Sequence, residues 1–171
     1  HKLNNVCLNY NLRLIQISTD CVFLGSRGNY KEDDIPDCVD LYGRSKLLGE
    51  INYSQNVITL RTSIIGRELK GNISLLDWFL SQKKSVKGYK KAIFSGFTTL
   101  EISKIIKNII IPSPQLHGIY HLASEPINKF LLLSIIKDVF NKKVLITPDY
   151  KVSINRSLNS DKFFNRTNYL A

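Results

Sequence analysis

Tyr42 and Lys46 stand four residues apart in the segment Tyr-Gly-Arg-Ser-Lys. Residues at i and i+4 share one face of a helix, so we expect the Lys46 ammonium to lie near the Tyr42 phenol. A nearby cation favours the phenolate and lowers a tyrosine pKa from about 10. Such a pair can protonate a ketone oxygen, or act as a base in the reverse direction. A surface helix carrying an ordinary lysine contact gives the same spacing, and roughly one such pair is expected by chance.

Polar side chains follow two apolar runs that are typical of buried strands. Ser18-Thr19-Asp20 comes after the run 12–17, and Thr62-Ser63 comes after the run 57–61. Ligands of parallel sheets bind beyond the carboxyl ends of the strands. A Thr19 hydroxyl at that edge can hold a substrate carbonyl near Tyr42, although such residues also form local turns and caps.

Helix-like and strand-like segments alternate along the chain, which predicts an α/β fold. The strands have continuous apolar character, and this favours a parallel sheet covered on both faces. Helices are predicted over 2–9, 41–53, 73–82, 98–108, 128–140 and 160–164, and strands over 12–17, 57–61, 118–122 and 144–147. Asn72 and Thr98 are the expected caps of the third and fourth helices.

The composition excludes several classes of protein. The net charge is +10, and its densest cluster is the lysine-rich stretch 83–91. No aromatic ladder or nucleic-acid motif accompanies that cluster, so we read it as a solvated surface and expect no nucleic-acid partner. No apolar run is long enough to cross a bilayer and no secretory leader is visible, so we expect a cytoplasmic protein without a membrane partner.

Neither the cysteines nor the histidines form a metal-binding pattern. Cys7, Cys21 and Cys38 contain no CxxC pair, and free thiols in a reducing compartment are the expected state. His117 and His121 flank a strand-like run far from any cysteine. We therefore expect no metal site.

The string ISTDCVFLGSRGNYKEDDIPDCVDLYGRSKLLGE, residues 17–50, carries a specific resemblance. It resembles the extended short-chain dehydrogenase/reductases, and among them the dTDP-4-dehydrorhamnose reductases most of all. The similarity includes Leu60-Arg-Thr-Ser63 and extends more weakly through Ser95–Thr99 and Gly118–Ala123.

This resemblance implies a role for each matching residue. Tyr42 would donate the proton to the sugar C4 oxygen, and Lys46 would bind the nicotinamide ribose and tune Tyr42. Thr19 would bond the carbonyl. Ile17 and Ser18 would lie near the nicotinamide, while Asp20 and Ile64 would contact the sugar.

The sequence also departs from the family pattern. Ile64 stands where rhamnose-type reductases usually carry a tryptophan, and Cys21 replaces the commoner tyrosine. No GxxGxxG phosphate-binding turn occurs, methionine is absent, and the sequence opens inside a predicted helix. We therefore expect a C-terminal fragment that lacks roughly a hundred residues of a dinucleotide-binding domain and that neither binds cofactor well nor turns over alone.

The expected architecture is the C-terminal part of a doubly wound, Rossmann-type parallel sheet plus a small substrate-binding lobe. Residues 1–66 would form the second half of the NAD(P)-binding domain. Residues 67–171 would form mainly the lobe, with a strand near 118–122 returning to the sheet.

The resemblance implies an NAD(P)H-dependent reduction of the C4 ketone of a nucleotide-linked 4-dehydro-6-deoxysugar. The cofactor is NADP or NAD with NADPH favoured, although the residues that would distinguish them are not in this sequence. One alternative is a regulatory subunit of the same fold, as in the β-subunits of methionine adenosyltransferase. Another is a different sugar-nucleotide reductase or epimerase, and a homodimer is an assembly that the sequence leaves open.

Overall fold

The computed structural model describes residues 1–169, and within that range strands and helices alternate. The strands are β1 (Leu14–Thr19), β2 (Val57–Thr62), β3 (Ile64–Ile65), β4 (Ser85–Phe94), β5 (Phe97–Thr98), β6 (Gly118–His121), β7 (Ile127–Asn128) and β8 (Leu145–Asn155). The helices are α1 (Lys2–Asn9), α2 (Leu41–Gly49), α3 (Leu75–Ser81), α4 (Thr99–Ile105), α5 (Lys129–Val139) and α6 (Asp161–Thr167). A 3-10 turn over Asp20–Val22 follows β1, and a π-helical turn over Ile106–Ile110 extends α4. None of these helices is long and apolar enough to span a bilayer.

A three-stranded parallel sheet forms one half of the molecule. Its order is β1-β2-β6, and every residue of the central strand β2 is buried. Ile17 lies opposite Leu60 and Thr19 lies opposite Thr62, so β1 and β2 end at the same edge. The α/β class and the parallel sheet are thus confirmed, and they follow from apolar strands that must be covered on both faces.

The helices α4 and α6 pack against this sheet. Ile58 and Leu60 of β2 belong to one buried cluster with Ile102 and Ile105 of α4 and Phe163 of α6, and all five are at most 4% exposed. The hydroxyl of Thr98 accepts the Glu101 backbone N–H at 3.2 Å, so α4 begins where its capping spacing predicts.

A second sheet, of order β7-β4-β8, forms the other half, which we call the lobe. Strand β4 pairs antiparallel with β7 and parallel with β8. Leu133 and Ile136 of α5 pack with Phe79 of α3 and Val86 of β4. A Cβ at Gly88 of β4 would lie 2.8 Å from the Phe130 ring, so glycine lets α5 approach the strand closely.

The lysines of the stretch 83–91 are mostly exposed, as a solvated surface requires: Lys83, Lys84, Lys87 and Lys91 all face solvent. This stretch lies largely within the ten-residue strand. Lys87 forms an ion pair with Asp149 of β8 at 3.3 Å, and the Lys90 ammonium lies 3.9 Å from the centre of the Phe130 ring. Lysine stems cover apolar surface while their charges stay in water, so a lysine-rich strand is physically sound.

Several predicted element boundaries were wrong. Helix α2 ends at Gly49 rather than at position 53, because Glu50 turns to an extended conformation with ψ of 140°. Strand β8 continues to Asn155, whereas the prediction stopped at position 147. Helix α3 starts after Ser74 instead of Asn72.

Candidate active site

The residues predicted to do chemistry line one cavity of about 410 Å³. It lies between the carboxyl ends of β1 and β2, the start of α2, and β4 and β8 of the lobe. The structure brings together every site residue named from the sequence: Ile17, Ser18, Thr19, Asp20, Tyr42, Lys46 and Ile64. This position, beyond the ends of parallel strands, is the one expected for a ligand of such a sheet.

Thr19 is the last residue of β1 and is 5% exposed. Its hydroxyl donates to the Asp20 carboxylate at 3.1 Å and accepts the Cys21 backbone N–H at 3.2 Å. These two bonds fix the side chain at the rim of the cavity. The Thr19 hydroxyl has a single proton, so a carbonyl that binds there must replace the Asp20 carboxylate as its acceptor.

Tyr42 lies in the first turn of α2, where the chain is held by a helix cap. The Asp40 carboxylate accepts the Gly43 backbone N–H at 2.8 Å and so fixes where the helix begins. A Cβ at Gly43 would lie 2.4 Å from the Cys21 carbonyl oxygen, so only glycine allows α2 to approach the end of β1. Tyr42 itself is 57% exposed, which leaves it accessible to a substrate.

Lys46 lies one helical turn after Tyr42 and reaches the end of β1. Its ammonium donates to the Ile17 carbonyl oxygen at 2.6 Å. In the described part of the chain no hydrogen bond joins Lys46 to Tyr42. The ammonium carries three N–H groups, so two remain for a ligand once Ile17 is bonded.

The lobe contributes cavity residues that the sequence interpretation missed. Lys129 lies at the start of α5, and Arg156 follows β8. Arg156 donates to the Phe23 carbonyl oxygen at 2.8 Å and to the Cys21 sulfur at 3.4 Å. No local pattern marks Lys129 or Arg156, since each is brought to the cavity by strand pairing within the lobe.

Cys21 lines the same cavity and keeps its thiol proton. Burial, and next the negative charge of Asp20, raise the pKa of the Cys21 thiol. The thiolate is the nucleophilic form of cysteine, so a raised pKa leaves Cys21 a weak nucleophile. We therefore give Cys21 no part in the chemistry.

Comparisons with known proteins agree with this geometry. A family model described as the RmlD substrate binding domain matches residues 1–159. A dTDP-4-dehydrorhamnose reductase of Aggregatibacter actinomycetemcomitans is 29% identical over 92% of this chain and 60% of its own length. The β-subunit of methionine adenosyltransferase 2 of Danio rerio is 29% identical over 75% of this chain and 43% of its own length.

A solved structure confirms the Rossmann-type fold. The dTDP-4-dehydrorhamnose reductase of Bacillus anthracis, in complex with NADP, superimposes with a TM-score of 0.76 at 21% identity. The superposition covers 96% of this chain and 62% of that protein. The chain therefore spans about 60% of the length of the reductases that it matches.

Proposed function

Because this chain belongs to the RmlD substrate-binding domain family, we propose that the full-length protein is an NAD(P)H-dependent reductase of a nucleotide-linked sugar. The substrate is a 4-dehydro-6-deoxysugar, and the reaction reduces its C4 ketone. The observation that carries this proposal is that Tyr42, Lys46 and Thr19, from two separate elements, line one cavity. A nicotinamide cofactor supplies the hydride in such a reaction.

The donor set at the end of β1 fits the nicotinamide end of that cofactor. Lys46 has two N–H groups for ribose hydroxyls once one is bonded to the Ile17 carbonyl oxygen. Ile17 and Ser18 border the cavity beside it, and Ile17 offers an apolar contact for a ring. NADP fits this set as well as NAD does, because the two differ only at the adenosine ribose.

The remaining residues act on the substrate. The exposed Tyr42 phenol donates a proton to the C4 oxygen. Thr19 bonds the same oxygen and holds it in place. Asp20 and Ile64 contact the sugar from the two strand ends.

The two halves of the molecule divide this work in our proposal. Residues 1–66 supply the second half of the dinucleotide-binding domain together with Tyr42 and Lys46. Residues 67–171 supply mainly the substrate-binding lobe, and within them β6 returns to pair with β2.

A second function has a specific observation in its favour. The Danio rerio β-subunit matches this chain at the same 29% identity as the Aggregatibacter actinomycetemcomitans reductase. A regulatory subunit would bind a partner enzyme without turning over a sugar. A further sugar-nucleotide reductase or an epimerase remains the alternative within enzymes, since Ile64 cannot stack on a sugar as tryptophan does.

A turnover assay on the full-length protein separates these functions. With a dTDP-4-dehydro-6-deoxysugar, the wild type consumes NADPH or NADH, and Tyr42→Phe removes most of this activity. Tyr150→Phe is the matched control, because Tyr150 is exposed on β8 and does not line the cavity. No turnover by the wild type, or equal turnover by Tyr42→Phe, contradicts the proposal.

A further inference from the structure

A buried polar cluster lies directly behind the candidate active site, and apart from Ser18 the proposed chemistry does not use its members. Its members are Ser18 of β1, Glu50 after α2, Arg61 of β2 and His121 of β6. The side chains of Arg61 and Glu50 are 3% and 5% exposed, and Ser18 and His121 are 3% and 0% exposed as residues. Four separate segments of the chain therefore meet at one point.

The centre of the cluster is a two-point ion pair. Arg61 donates through Nε to Glu50 Oε1 at 2.9 Å and through Nη2 to Glu50 Oε2 at 2.7 Å. Burying two charges is costly even when they are paired, so a buried pair is weak evidence of stabilisation. The pair instead fits a role in holding neighbouring segments of the chain in one arrangement.

His121 completes the pair as a neutral acceptor. Its Nδ1 lies 2.9 Å from the Tyr30 carbonyl oxygen and must carry the proton that this bond needs, so Nε2 is free to accept from Arg61 Nη1 at 3.3 Å. Burial, and next the Arg61 charge, lower the pKa of His121 to about 3. Each charged group and each ring nitrogen of the cluster therefore has a hydrogen-bond partner, with donors facing acceptors.

Glu50 connects this pair to the end of β1. The Ser18 hydroxyl donates to Glu50 Oε1 at 2.6 Å, while Lys46 donates to the carbonyl oxygen of the preceding residue, Ile17, at 2.6 Å. Tyr42, Lys46 and Glu50 follow each other at intervals of four residues. Residues 42–50, which include the Tyr-Lys pair, therefore bond two successive residues of β1, Ile17 and Ser18.

We infer that Glu50 is a positioning residue, which holds Ser18 and the end of β1 in register with Tyr42 and Lys46. Glu50 does not border the cavity, whereas Ser18 does, so Glu50 acts through Ser18. Arg61 and His121 hold the carboxylate in the orientation that Ser18 needs. The kinetic consequence of this role rests on the proposed reductase function; the structural consequence does not.

The kinetic test uses Glu50→Gln in the full-length protein, which keeps the size of the side chain and removes its charge. We expect kcat to fall roughly 10- to 100-fold, because a displacement of about 1 Å at a reacting group costs up to about 100-fold in rate. The KM for the sugar nucleotide changes much less than kcat. Asp77→Asn is the matched control: Asp77 is 4% exposed in an ion pair of the lobe and should leave kcat nearly unchanged.

Ser18→Ala serves as a second variant if Glu50→Gln folds poorly. It removes the hydroxyl that bonds Glu50 and leaves the bond between Glu50 and Arg61 intact. If Glu50 acts through Ser18, the double variant loses no more kcat than the more impaired single variant. Additive losses in kcat contradict the inference.

Hydrogen exchange provides a test that needs no turnover. Glu50→Gln should speed amide exchange in the peptide that covers β1, and Asp77→Asn should not. An inactive wild type refutes the proposed function but leaves this test intact. The inference is overturned if Glu50→Gln keeps kcat, or if exchange in β1 is unchanged while the protein remains folded.

Discussion

The parallel-sheet half and the lobe both border the cavity, but they hold their charged groups differently. In the sheet half, Arg61 and Glu50 form a buried two-point pair. In the lobe, Arg67 pairs with Asp77 while its own side chain is 67% exposed. We therefore expect the sheet half to lose more stability than the lobe when its ion pair is broken.

The largest effect we expect comes from breaking the buried pair. Arg61→Met leaves the Glu50 carboxylate buried without its partner and should destabilise the protein by about 3–5 kcal/mol. Arg67→Met is the counterpart in the lobe and should cost less, because the Arg67 guanidinium is exposed and the Asp77 carboxylate keeps its bond from the Glu68 backbone N–H at 2.6 Å. Urea unfolding of both variants measures the two costs, and equal costs would remove the contrast between the halves.

Acid should weaken the sheet half through His121. Its pKa is lowered from 6.5 to about 3 by burial and next by Arg61, so the unfolded chain takes up the proton first. Above pH 6.5 His121 is neutral in both the folded and the unfolded chain, so it does not change the free energy of unfolding. As the pH drops from 6.5 towards 3, the free energy of unfolding falls by at most about 1.4 kcal/mol per pH unit. Urea unfolding along a pH series should show this slope, and His121→Gln should flatten it. A slope that survives in His121→Gln assigns the effect to other groups.

Helix α2 should tolerate a methyl group at one glycine and not at another. Gly43→Ala places a Cβ 2.4 Å from the Cys21 carbonyl oxygen. The displacement of α2 should cost about 1–3 kcal/mol and lower kcat by moving Tyr42. Gly49→Ala meets only the end of the Gln16 side chain at 3.2 Å and should be close to neutral. Thermal unfolding and turnover of both variants check this, and a neutral Gly43→Ala contradicts the close packing of α2.

The smallest effect we expect lies in the lobe. Lys129→Ala removes a charge from the wall of the cavity and should raise the KM for a negatively charged sugar nucleotide by about 2- to 5-fold, the worth of an exposed charge pair. The value of kcat should change little, because Lys129 has no role at the C4 oxygen in the proposed reaction. Steady-state kinetics measure both constants. A large fall in kcat would place chemistry in the lobe as well.

The sequence predicted the sheet half better than the lobe for a physical reason. Strand β2 contains Val57, Ile58 and Leu60 close together, and Tyr42 and Lys46 lie within a single helix, so local patterns indicate both elements. Strand β4 mixes lysines with apolar residues, so its sequence pattern does not indicate a strand clearly. It forms a strand by pairing with β8, about sixty residues later along the chain. Its neighbour β8 contains Pro148, which suggests an end to the strand but is tolerated at the edge of a sheet.

The buried cluster also escaped local pattern reading. Glu50 was expected to continue α2, yet it leaves the helix and its carboxylate accepts from Ser18 and Arg61. Each member of the cluster comes from a different segment, so no spacing in the sequence connects them. Tyr42 and Lys46 lie one helical turn apart, so a sequence pattern can indicate them. Glu50, Arg61 and His121 meet only in the folded chain, so no sequence pattern indicates them.

The most direct test of the central claim follows the hydride. The full-length protein would be supplied with NADPH carrying deuterium at the transferable position and with a dTDP-4-dehydro-6-deoxysugar, and the product would be read by NMR. We expect deuterium at C4 of the product sugar, with the transfer nearly lost in Tyr42→Phe. Recovery of unreduced sugar, or of an isomer without deuterium, would contradict a reductase in which Tyr42 protonates the C4 oxygen.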